Sequence, residues 1–181
     1  MHDWNVIISI HERGFRETIR LLEPFGSINR TDYFNVLVMK TDDIELLKET
    51  LWREITESPG ILNFISRVVP VTDTFTFQNK EEFESRATGI VLQWVSRLAG
   101  KRFHVRMHRR GFKRRLSSMD EERLLDDALL QELGKKGTPG KIDFDNPDAV
   151  IAVETVGQRA GISFWTHAEL ENYPFLGLVE G

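Results

Sequence analysis

The chain has 181 residues, 40% of them apolar and 29% charged, no cysteine, and a formal net charge of −4. This is the composition of an ordinary globular protein, and the missing cysteines exclude disulfides, thiolate zinc sites, iron–sulfur clusters and cysteine nucleophiles. No apolar run is long enough to span a bilayer and Met1-His-Asp-Trp has no basic-then-apolar leader, so a cytoplasmic protein is expected.

Residues 4–10 alternate Trp4, Val6, Ile8 and Ile10 and predict a strand. Phe15, Ile19 and Leu22 follow at helical spacing, stopped by Pro24 and Gly26. A short strand at 27–30, a polar turn at 29–32 and a strand at 33–40 predict a hairpin. Asp42 with Glu45 spells a capping box for a helix whose stripe is Ile44, Leu47, Leu51 and Ile55. Ser58-Pro-Gly60 ends it, and strands at 61–69 and 72–78 follow. The order β-α-β-β-α-β predicts a ferredoxin-like domain over residues 1–78, with Trp4, Phe15, Phe34, Trp52 and Phe64 in its core. That arrangement hosts many functions and says little about activity.

From residue 79 a second domain is expected, running to 181. Asn79 with Glu82 opens a helix carrying Phe83, Ala87, Ile90, Val91, Trp94 and Leu98, closed by Gly100. After a basic segment, Ser118-Met-Asp-Glu121 caps a helix carrying Leu125, Ala128, Leu129 and Leu133, with Gly134 as its stop. Lys135-Lys-Gly-Thr-Pro-Gly-Lys141 is a loop by composition, and its three lysines extend the basic character. A short strand at 142–144, a turn at Asn146-Pro147, an apolar strand at 149–156, a loop at 157–161 and a strand at 162–165 complete the sheet elements. The nearly unbroken apolar character of 149–156 predicts a central strand buried on both faces. A short polar helix and Tyr173-Pro-Phe-Leu close the chain.

The basic segment is Lys101-Arg-Phe-His-Val-Arg-Met-His-Arg-Arg-Gly-Phe-Lys-Arg-Arg115. It holds eight of the 24 Lys and Arg residues and no acid, so the rest of the chain carries about −12. A positive stretch on an acidic body points to a polyanionic partner. Phe103, Val105 and Met107 alternate with Arg102, His104, Arg106 and His108, which predicts a strand with one face in the core and the cations facing solvent. Gly111 then breaks the strand, and Lys113, Arg114 and Arg115 form a cationic arm. The candidate phosphate contacts are Lys101, Arg102, Arg106, His108, Arg109, Arg110, Lys113, Arg114 and Arg115.

The second half resembles a THUMP domain, the RNA-binding module of tRNA-modifying enzymes. The resemblance lies in Phe103-His-Val-Arg-Met-His-Arg-Arg-Gly111, the capped helix at 118–133, Asp143-Phe-Asp-Asn-Pro-Asp148 before the strand 150–155, Ala160-Gly-Ile-Ser163 and Tyr173-Pro-Phe-Leu176. It implies an α+β architecture, a ferredoxin-like β-α-β-β-α-β domain followed by an α/β THUMP domain. The Arg-Gly strand and the Tyr-Pro-Phe ending are similar to the stand-alone type that assists tRNA cytidine N4-acetylation. The resemblance implies tRNA held by its acceptor stem and 3′ end, and a separate modifying enzyme as partner. In most THUMP enzymes a catalytic domain follows, whereas this sequence stops at Gly181.

Chemistry is sparse. No G-x-G-x-x-G follows a strand and no phosphate loop leads into a helix, so no cofactor is expected. His104 and His108 on a strand lie about 13 Å apart, too far to share a metal. Asp126-Asp127 diverge on a helix, and the Asp143–Asp148 cluster has turn chemistry. The expectation is a non-catalytic tRNA-binding adaptor. The competing readings are a tRNA-modifying enzyme, or its RNA-binding part, with an unrecognised site, and a regulatory module whose patch meets an acidic protein.

Overall fold

The fold divides the chain into two compact units, Met1–Val71 with Glu169–Gly181, and Thr72–Ala168. It is a computed structural model and describes residues 3–178. In the first unit the elements are β1 (Val6–Ile10), α1 (Phe15–Leu22), β2 (Gly26–Arg30), β3 (Val36–Thr41), α2 (Ile44–Glu57) and β4 (Ile65–Pro70). They form a sheet of order β2-β3-β1-β4, antiparallel throughout. This is the ferredoxin-like arrangement. Its core holds Trp4, Ile8, Leu22, Leu47 and Leu51, all nearly inaccessible to solvent.

Several local expectations shift. The cap of α2 is Asp43, whose carboxylate accepts the Leu46 N–H at 2.9 Å, not Asp42. Residues Pro59–Asn63 wind into a 3-10 turn, so β4 starts at Ile65 and not at 61. Phe34 and Trp52 are not core residues: they are 85% and 48% exposed. Phe34 sits in the tight connection before β3, where Asn35 takes a φ of 57°. Trp52 follows Leu51 on α2, and the 100° step per residue turns it off the buried stripe of Leu47, Leu51 and Ile55.

The second unit contains β5 (Asp73–Thr76), α3 (Lys80–Leu92), β6 (Arg102–His108), α4 (Ser118–Lys135), β7 (Lys141–Ile142), β8 (Ala149–Val156) and β9 (Arg159–Thr166). Its sheet order is β5-β9-β8-β6-β7. β6 runs parallel to β7 and β8, while β9 runs antiparallel to β8 and β5. Phe83, Ala87 and Val91 of α3 and Leu125, Leu129 and Leu133 of α4 bury one face of the sheet, with Phe103, Val105, Met107, Ile151 and Val153.

Here too the boundaries move. β5 pairs with β9, from Asp73 opposite Ile162 to Thr76 opposite Arg159, so the second unit begins at Thr72 and not near 79. The Tyr173-Pro-Phe-Leu ending lies in the first unit, where Arg67 Nε donates to the Leu176 carbonyl at 3.1 Å. α3 stops at Leu92, short of Gly100, and a 3-10 turn, Val95–Leu98, follows. α4 is capped by Ser117, whose hydroxyl accepts the Asp120 N–H at 3.3 Å, and not by Ser118. It passes through Gly134, and Gly137 takes the left-handed conformation beyond it, with φ 70°. His167–Asn172 forms the last helix, α5. No helix among the described residues is long and apolar enough to cross a membrane.

Candidate nucleic-acid interface

β6 determines where the basic side chains go. It lies inside the sheet, and its seven residues span about 20 Å. The fifteen-residue segment is therefore two cationic groups at opposite ends of one strand. At the start of β6, exposed Lys101 meets the loop after α4, because the Lys141 N–H donates to the Lys101 carbonyl at 3.0 Å. Lys136 is exposed on that loop, and Lys135 and Lys141, the last residue of α4 and the first of β7, are exposed at its two ends. At the far end lie Arg109, Arg110 and the turn that follows.

Between the two ends the side chains are largely committed. Arg102 grips Asp148 with two nitrogens, at 2.9 and 3.3 Å, and its backbone N–H donates to the same carboxylate at 2.9 Å. The Arg102 guanidinium holds the Asp148 carboxyl at about 2. His104 does not face solvent as the alternation predicts. It is 6% exposed, with its ring 5.1 Å from that of Phe144. Burial lowers its pKa, against the pull of its bond to the Val105 carbonyl. Arg106 and His108 are half-buried, and His108 Nδ1 lies 3.5 Å from Glu154 Oε1. Arg110 Nη1 is 2.7 Å from Glu154 Oε2, and Glu154 is fully buried. Glu154 was legible as the one acid in the apolar run 149–156, since a buried carboxylate needs a cation.

The turn after β6 is built to present charge. Phe112 and Leu116, 7% and 4% exposed, anchor it in the core at both ends. The Phe112 ring centre packs 4.9 Å from that of Phe77. The N–H groups of Arg115 and Leu116 both donate to the Phe112 carbonyl at 2.9 Å, and Arg109 Nη1 donates to the Gly111 carbonyl. Gly111, Phe112 and Arg114 have φ of 96°, 54° and 69°, and the last two pay for a conformation that side-chain-bearing residues avoid. The result is an ordered turn with Lys113, Arg114 and Arg115 exposed, the Arg115 guanidinium 4.1 Å above the Phe112 ring. The β8–β9 turn lies beside it, since the Gly157 N–H donates to the Arg110 carbonyl at 2.8 Å. Arg159, at the start of β9, is committed to β5, its Nη2 donating to Thr74 Oγ1 at 2.8 Å.

No group of three or more His, Asp or Glu among the described residues is placed to hold a metal ion. Asp143 acts as a turn acceptor for the N–H groups of Asp145 and Asn146, at 3.0 and 2.9 Å.

Comparison with solved structures shows the same fold over nine-tenths of the chain. PH1313 from Pyrococcus horikoshii Ot3 is 16% identical with a TM-score of 0.61, over 90% of this chain and 54% of that one. TrmN from Thermus thermophilus is 18% identical with a TM-score of 0.58, over 90% of this chain and 45% of that one. A 4-thiouridine synthetase in complex with RNA and bound ATP is 15% identical with a TM-score of 0.54, over 90% of this chain and 41% of that one. The chain thus spans about half the length of these structures. No curated protein matches it significantly. Residues 78–164 match the THUMP domain model, a stretch that takes in α3, β6, the cationic turn, α4, β7, β8 and most of β9. The segment from Gln78 to Phe164 is a THUMP domain.

Proposed function

We propose that the chain binds tRNA by its acceptor stem and 3′ end and acts in the cytoplasm as a non-catalytic adaptor. It would present the RNA to a separate modifying enzyme, of the cytidine N4-acetylating type. The observation that carries the RNA reading is the anchored turn of Lys113, Arg114 and Arg115 within a THUMP domain. Three exposed cations on an ordered turn suit a phosphate backbone, whose contacts position a nucleic acid without reading its sequence. The likeness of the fold to a 4-thiouridine synthetase complexed with RNA supports the same reading. A-form RNA hides its base edges in a deep, narrow groove, so selectivity for tRNA needs a second feature, and an unpaired 3′ end supplies one.

The test compares intact tRNA with the same tRNA lacking its terminal nucleotides, at fixed salt. Truncation should weaken binding by about 1–3 kcal/mol. Equal affinity would remove the 3′-end reading. Incubation of tRNA with the protein and acetyl or methyl donors, followed by nucleoside mass analysis, should show no modified base. A modified base made by the chain alone would replace the adaptor with an enzyme.

A further inference from the structure

The first unit carries a second surface whose chemistry is the reverse of the cationic turn. Trp52 is 48% exposed on the outer face of α2, although a side chain of that size normally contributes to a core. A recess of about 240 Å³ opens beside it, lined by Glu49, Trp52, Asn172 and Tyr173. Two aromatic residues and a carboxylate lining one recess suit a cation, because ring π-electrons and a carboxylate both attract positive charge. The recess is smaller than the usual 300–1,000 Å³ of a small-molecule site. It is the size of a side chain.

The protein already uses this chemistry next door. Lys48 Nζ lies 5.5 Å from the centre of the Tyr173 ring, 2.8 Å from Glu45 and 3.6 Å from Glu169. Burial pulls the Lys48 pKa down, but the bond and charge of Glu45 and the charge of Glu169 hold it above its ordinary value. Exposed Glu171 and Arg53 adjoin the lining residues Asn172 and Trp52 in sequence and cancel, while Glu45, Glu49 and Glu169 outnumber Lys48, which leaves the region negative. A negative aromatic recess repels RNA phosphate and attracts a basic side chain.

We infer that this recess docks an arginine or lysine side chain of a partner protein. Trp and Tyr commonly anchor such contacts, and the acidic rim would steer a basic partner while keeping RNA at the other unit's cations. The inference does not rest on the RNA reading.

The test follows the indole N–H of Trp52 by nitrogen-15 NMR of the full chain during titration with Nα-acetyl-arginine amide. Its citrulline counterpart, of the same shape without the charge, is the control. The chain has four tryptophans, and Trp52 is an exposed one while Trp4 and Trp165 are buried. The arginine compound should shift the Trp52 signal saturably, with a dissociation constant on the order of millimolar. The citrulline compound should bind about fivefold more weakly or worse. Glu49→Gln should weaken the response, Trp52→Leu should remove the signal without changing RNA affinity, and Lys113→Ala should leave the shift intact. An equal response to both compounds, or none to either, would overturn the proposal. A Trp52 shift caused instead by a single-stranded RNA oligomer would overturn it in favour of a nucleic-acid surface.

Discussion

The Val105 N–H donates to the Asp126 carboxylate at 2.9 Å, and one helical turn earlier Glu122 accepts the Met107 N–H at 2.8 Å. A helix rises about 6 Å over four residues and a strand about 6.6 Å over two, so the two spacings match. β7 pairs with the first two residues of β6 only, and the carboxylates of α4 complete that edge. The cost is a buried charge. Burial pushes the Asp126 carboxyl up to about 7, against the pull of the Val105 bond.

That pair separates two substitutions. Asp126→Asn keeps an oxygen acceptor and removes the charge, so at pH 8 it should be at least as stable as the parent. Asp126→Ala leaves the Val105 N–H without its acceptor and should cost about 1–3 kcal/mol. Urea unfolding at one pH distinguishes them. Equal losses for both would show that the hydrogen bond contributes nothing.

Stability should fall as pH rises from about 4 to about 7. Glu121 is fully buried beside Glu84, and burial first, then that neighbour, raise its carboxyl to about 7 as well. Both Asp126 and Glu121 keep their protons in the folded state over a range where the unfolded chain has lost them. The folded state therefore binds more protons, and each such group lowers stability by up to about 1.4 kcal/mol per pH unit in that window. Asp148 acts in the opposite sense: its pKa is held at about 2 by Arg102, so its contribution is present above about 4 and lost below it. Unfolding midpoints taken from pH 3 to 8 should pass through a maximum near pH 4–5, and Glu121→Gln should flatten the alkaline slope. A rise in stability from pH 5 to 7 would contradict this account.

Two arginines of the basic segment are expected to be structural and unequal. Arg110→Ala removes the guanidinium 2.7 Å from the fully buried Glu154 and should cost about 3–5 kcal/mol. Arg102→Ala breaks a pair whose side chains are 42% and 33% exposed, and should cost about 1 kcal/mol or less. Thermal unfolding of both variants checks the order.

Arg114 should separate binding from folding. Glycine accepts its φ of 69° without strain, so Arg114→Gly should leave stability within about 1 kcal/mol of the parent. If Lys101, Arg109, Lys113, Arg114 and Arg115 neutralise about five phosphates, the log–log slope of tRNA affinity against salt should be about −3.5 to −4.5. Arg114→Gly should reduce its magnitude by nearly one unit. A slope near zero in the parent would remove the RNA interface.

The sequence by itself determined the order of elements, because alternation and helical spacing are local patterns. The stripe Leu47, Leu51 and Ile55 and the alternation of Phe103, Val105 and Met107 are each written within a few residues. The cation-rich segment was equally visible, since charge is a property of composition. What each cation does was not, because partners lie far away in the chain. Arg102 meets Asp148 across 46 positions and Arg110 meets Glu154 across 44, so only the sheet register distinguishes them from exposed Lys113 and Arg114. The strand Asp73–Thr76 is also ambiguous locally: it can end one sheet or begin another, and its pairing with β9 decides. His104 follows the pattern of an outward residue yet is buried with Phe144 against its ring, a contact from another loop. Local physics sets the elements, and long-range pairing assigns their side chains to ion pairs, core or surface.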